Sequence, residues 1–94
     1  MRFEELKPEF VYYMPEVLQE GILYISEEFK TSIHLCACGE CKMKTVLPFY
    51  SEVLDMGWHY TKENENITFR PSIGNWQFPC RSHYYITGNK IEWL

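Results

Sequence analysis

Ninety-four residues suit one domain, and a chain this short buries a smaller share of its surface than a longer one, so its core is modest and an added staple is expected. An apolar fraction of 46% with sixteen aromatic residues excludes a disordered chain, and no stretch approaches the ~20 apolar residues that span a bilayer. The net charge of −4 excludes nucleic acid as the expected partner, because phosphate binding relies on clustered Lys and Arg and the nine here are scattered among thirteen acids.

The opening run Met1-Arg2-Phe3-Glu4-Glu5-Leu6-Lys7 breaks up its apolar residues with charges and has no secretion signal, which makes the cytoplasm the expected compartment. Thiols stay reduced there, so the four cysteines read as metal ligands or reactive groups rather than as disulfides. Glu9 to Met14, rich in aromatic and β-branched residues, predicts a first strand; Pro15 stops it and starts a short helix-like turn through Glu20, before Gly21. Ile22 to Ser26 is the next strand. From Thr31 to Cys38 residues alternate, so in an extended chain Ile33, Leu35 and Ala37 face one way and His34, Cys36 and Cys38 the other.

Thr45 to Leu47 predicts a strand ended by Pro48, and Ser51 to Met56 about one helical turn before Gly57. Trp58 to Thr61 and Ile67 to Arg70 flank a polar segment as a hairpin, Pro71-Ser72-Ile73-Gly74-Asn75 reads as a turn-rich loop, and His83 to Thr87 with Ile91 to Trp93 form a second hairpin around Gly88-Asn89-Lys90. The expected fold is one α+β, mainly β domain over residues 1–94, made of short antiparallel strands and hairpins with little helix.

A structural zinc site takes four thiolate or imidazole ligands, supplied as short pairs from two places in the chain. Cys38-Gly39-Glu40-Cys41 has the C-x-x-C spacing with Gly in the tight turn, and Cys80-Arg81-Ser82-His83 supplies C-x-x-H. His34 and Cys36 share the extended face with Cys38. The candidates are therefore His34, Cys36, Cys38, Cys41, Cys80 and His83, two more than one zinc ion holds. A surplus of ligands leaves room for a catalytic zinc, which keeps three protein ligands and a water whose pKa it lowers to about 7. His59, between Trp58 and Tyr60, lacks a partner at ligand spacing and reads as a surface or packing residue.

The runs Gly21-Ile22-Leu23-Tyr24-Ile25-Ser26, Glu28-Phe29, His34-x-Cys36-x-Cys38-Gly39, Pro71-Ser72-Ile73-Gly74-Asn75-Trp76 and Pro79-Cys80-Arg81-Ser82-His83-Tyr84, with Trp93, occupy nearly the whole chain. Together they resemble a family of small bacterial zinc-binding proteins catalogued as a domain of unknown function, some encoded beside genes for ubiquitin-like conjugation. Many relatives read Cys-Gly-Cys-Gly where this chain has Cys38-Gly39-Glu40-Cys41, which sets the third thiol one residue later. The resemblance implies a zinc-dependent peptidase that processes or deconjugates a bacterial ubiquitin-like protein. It places the family's acid on Glu28, the implied general base for zinc-bound water. Ser72 or Ser82 would then donate to the oxyanion, and Arg81 would meet a carboxylate such as a ubiquitin-like C-terminus. Spacing alone supports the other reading, a non-catalytic zinc-stabilised interaction module closed by Cys38, Cys41, Cys80 and His83.

Overall fold

The computed structural model describes residues 2–94. Eight strands follow in chain order: β1 (Lys7–Phe10), β2 (Ile22–Ser26), β3 (Thr31–Leu35), β4 (Lys44–Pro48), β5 (His59–Glu63), β6 (Asn66–Gly74), β7 (His83–Thr87) and β8 (Lys90–Trp93). They make two four-stranded sheets with neighbours in sequence order, β1 to β4 and β5 to β8. Leu23, Ile25 and Leu47 from the first sheet and Ile67, Phe69, Tyr84 and Ile86 from the second bury their side chains in one shared core. Each such side chain contributes about 1.5–3 kcal/mol on burial.

The α+β expectation is corrected: every regular element among the described residues is a strand. Residues 15–20 and 51–56 are too short to recover the cost of nucleating a helix. The second segment is instead a tight turn closed by a Ser51–Met56 bridge, with positive φ at Asp55 and Gly57. Nor are all pairings antiparallel, since β1 runs parallel to β2, from Lys7 opposite Ile22 to Phe10 opposite Ile25. That pairing sets β1 earlier than Glu9 to Met14. Tyr12 and Tyr13 leave the sheet and pack with Phe29.

Two further differences shape the site. Pro71 to Gly74 lies inside β6 rather than in a loop. The β6–β7 register shifts between Phe69 and Ile73, and irregularities of this kind tolerate a proline that cannot donate to the ladder. The alternation of β3 holds, but its polar face points inward: Ser32, His34 and Cys36 are buried while Ile33 and Leu35 are half-buried. Buried polar groups are tolerated when hydrogen-bonded, and partners for His34 and Cys36 come from the opposite sheet. The final hairpin behaves as read. Gly88 and Asn89 both take positive φ, as a two-residue type I′ turn requires.

Candidate functional site: a four-cysteine group beside a Ser–His pair

Cys36 follows the last residue of β3, Cys38 and Cys41 sit in the turn leading to β4, and Cys80 lies in the loop joining β6 to β7. Their four Sγ atoms lie within 4.8 Å of one another. Cys80 Sγ is 3.6 Å from both Cys36 Sγ and Cys41 Sγ. A tetrahedral zinc with Zn–S bonds of about 2.3 Å sets its sulfurs about 3.8 Å apart, so the four thiols fit such an ion. The offset third thiol does not exclude Cys41, because the turn folds back on itself. Gly39 adopts φ 74°, and the amides of Glu40 and Cys41 then donate to Cys38 Sγ at 3.4 and 3.3 Å.

Polar side chains surround the Cys36 sulfur. The Ser82 hydroxyl lies 3.1 Å from Cys36 Sγ, and Asn75 Nδ2 donates to Ser82 Oγ at 3.0 Å and to Cys36 Sγ at 3.6 Å. Asn75 Oδ1 accepts from Thr45 Oγ1, so this buried amide ties β4 and the cysteine group to the end of β6. Burial raises the Cys36 thiol above its ordinary value and pushes Cys41 up to about 12. Burial also opposes ionisation of Cys80, but hydrogen bonds from the Ser82 hydroxyl and amide, then from Cys41 and Cys36, outweigh it and bring the thiol to about 7. A bound dication overrides such differences, because a coordinating thiol is deprotonated outright.

The two histidine candidates stand outside the group. His34 Nε2 is 2.8 Å from the Tyr84 hydroxyl in the core, and desolvation pushes its pKa down to about 4, so the ring is neutral. His83 Nε2 is 2.8 Å from Ser72 Oγ. Glu28 is exposed in the turn between β2 and β3, at the end of β3 opposite Cys36, and is not brought to the cysteines. Ser82 faces Cys36 and Asn75. His59 is exposed and stacks on Tyr50.

The Ser72–His83 contact follows from register. Gly74 pairs directly with His83, and Ile73 pairs with Tyr84, both of whose side chains are buried. Ser72, Gly74 and His83 therefore share the face turned away from the core. His83 is the diagonal neighbour of Ser72 across the β6–β7 ladder, which lets the imidazole reach the hydroxyl. The Trp76 ring packs against the imidazole, with centroids 4.8 Å apart. Behind the serine, Trp58 Nε1 donates to the Ser72 carbonyl oxygen at 3.4 Å. His83 and Trp76 open onto a groove of about 450 Å³ that Arg2, Arg81 and Trp93 also line. Sequence reasoning weighed Ser72 only as an oxyanion donor and missed Asn75. No spacing rule links Ser72 to His83, since their contact depends on strand register.

Fold and site define a small two-sheet β protein in which a hydrogen-bonded Ser–His pair lies near a four-cysteine group able to hold a metal ion. The chain belongs to the BubE family, described as a bacterial ubiquitination-like system serine protease, whose family model matches residues 10–94. No curated protein and no solved structure matches the chain. The family overturns the zinc-dependent peptidase expected from the sequence. A metallopeptidase attacks with metal-activated water, whereas a serine protease attacks with a side-chain hydroxyl. The role expected of Glu28, as base to zinc-bound water, goes with that correction. The bacterial ubiquitin-like setting stands.

Proposed function

We propose that this chain is a serine peptidase acting on a bacterial ubiquitin-like protein or its conjugates, with Ser72 as nucleophile and His83 as general base. The observation that carries this reading is the 2.8 Å contact between Ser72 Oγ and His83 Nε2, with His83 lining a groove. A serine hydroxyl is a weak nucleophile until an adjacent base within hydrogen-bond reach takes its proton. Ser72 Oγ bonds to the scissile carbonyl carbon, the C=O pair moves onto oxygen, and the hydroxyl proton passes to His83 Nε2. On collapse the carbonyl re-forms, the C–N bond breaks, and His83 returns the proton to the departing amine. Water then releases the acyl group by the same steps in reverse roles.

Cys36, Cys38, Cys41 and Cys80 would hold a zinc ion as a closed, structural site, with Ser82 and Asn75 hydrogen-bonded to Cys36. Such an ion supplies a cross-link among β3, the turn to β4 and the loop that leads into His83. Arg81 in the groove suits a carboxylate near the C-terminus of a ubiquitin-like substrate.

The test is cleavage of a bacterial ubiquitin-like protein bearing a C-terminal extension. Ser72→Ala and His83→Ala are expected to lower kcat by about 10⁴-fold or more while metal content is unchanged. Glu28→Gln is expected to cleave like wild type. Undiminished cleavage by Ser72→Ala would refute the assignment.

A further inference from the structure

The Ser–His pair accounts for attack and proton transfer but leaves the developing negative charge on the carbonyl oxygen without a donor. Such a donor is commonly the largest single contribution to acyl transfer. Three indoles lie near this end of the molecule, and two have their N–H groups occupied: Trp58 donates to Ser72 O and Trp93 to Phe3 O. Trp76 Nε1 has no hydrogen-bond partner among the described residues, although its ring is held against His83.

Its position is set by Gly74. A Cβ built on Gly74 would lie 2.5 Å from Trp76 Nε1 and 2.9 Å from Cε2, so the indole N–H edge occupies the space that any side chain at 74 would fill. That space is on the outward face, opposite His83 in register and two residues along β6 from Ser72. Side chains two apart on one face of a strand stand about 7 Å apart. Ser72 Oγ and the Trp76 indole are thus on one face of the sheet and touch the same imidazole, which puts the free N–H beside the atom that would attack a carbonyl.

We propose that the Trp76 indole N–H, seated over Gly74 beside the Ser72–His83 pair, is an oxyanion donor of this site. The inference rests on the serine-peptidase reading above. It gives Gly74 a function, admitting the indole edge to this face.

Acylation by p-nitrophenyl acetate tests it. Trp76→Phe keeps an aromatic ring beside His83 but loses the N–H, and is expected to slow acylation about 10²–10³-fold with KM, melting temperature and metal content close to wild type. Gly74→Ala is a second variant: Gly74 does not have positive φ, so alanine suits the backbone, and its Cβ displaces the indole edge. It should lose a similar factor. In ¹⁵N-labelled protein, phosphorylation of Ser72 by diisopropyl fluorophosphate, with loss of fluoride, is expected to shift the Trp76 indole resonance downfield. A loss under tenfold in Trp76→Phe, or an unmoved indole resonance, overturns the proposal and leaves Ser72–His83 intact. Undiminished acylation of Ser72→Ala would instead overturn the reading on which the proposal rests.

Discussion

Asn75 is the side chain through which the cysteine group and the end of β6 are joined, and Asn75→Ala tests that connection. The amide makes three contacts, to Ser82 Oγ, Cys36 Sγ and Thr45 Oγ1. Its loss removes hydrogen bonds of about 1 kcal/mol each and leaves the buried Ser82 and Thr45 hydroxyls short of a partner, for a total of about 3 kcal/mol. In a domain of this size that corresponds to a fall in Tm of about 12–24 °C. Removing a donor that supports a metal ligand also lowers metal affinity by about 10–100-fold. Asn75→Asp separates the two effects. It keeps an acceptor for Thr45 but turns a carboxylate oxygen towards Cys36, so it should bind zinc more weakly still than Asn75→Ala. Thermal melts and zinc competition with a chromogenic chelator measure both quantities. Wild-type zinc affinity in Asn75→Asp, or an Asn75→Ala melt within about 3 °C of wild type, would refute the reasoning.

Chelating the metal is expected to lower Tm and, by loosening the loop that carries Cys80 into His83, to reduce cleavage, with both recovered on adding zinc; unchanged melting after verified metal removal would remove the structural role. Gly57→Ala should destabilise strongly, by about 3 kcal/mol or more in a urea titration, because φ is 117° and the new Cβ would meet the Phe49 carbonyl oxygen at 2.5 Å. The Tyr60 hydroxyl, which donates to Glu27 Oε2 at 2.7 Å, and then Lys62 hold the Glu27 carboxyl below its ordinary value. A depressed carboxylate adds stability above its unfolded pKa of about 4.5 and loses it as pH falls through the folded value. The small advantage of wild type over Tyr60→Phe should therefore be present at pH 7 and shrink as pH falls below about 4.5, as compared by urea midpoints.

What the sequence could determine was local. Gly88-Asn89 between two apolar runs specifies a type I′ hairpin because only residues tolerant of positive φ fit both turn positions. Cys38-Gly39-Glu40-Cys41 specifies a turn whose amides point at sulfur, and the cysteines, with the Pro71–Trp76 and Cys80–Tyr84 segments, marked the site region. Which side chains meet there was decided by the tertiary structure. His34 and His83 stood at ligand spacing, yet the packing of one sheet on the other gives His34 to Tyr84, and the register of β6 on β7 gives His83 to Ser72. Cys36 then supplies the fourth sulfur. The alternation of β3 could be read from the chain, but its inward face could not, because a polar face is tolerable inside only once Tyr84 and Ser82 arrive from the other sheet. Pro71 and Gly74 looked like turn residues for the same reason. A proline at a register shift and a glycine beneath an indole become strand residues only when the neighbouring strand and Trp76 are in place.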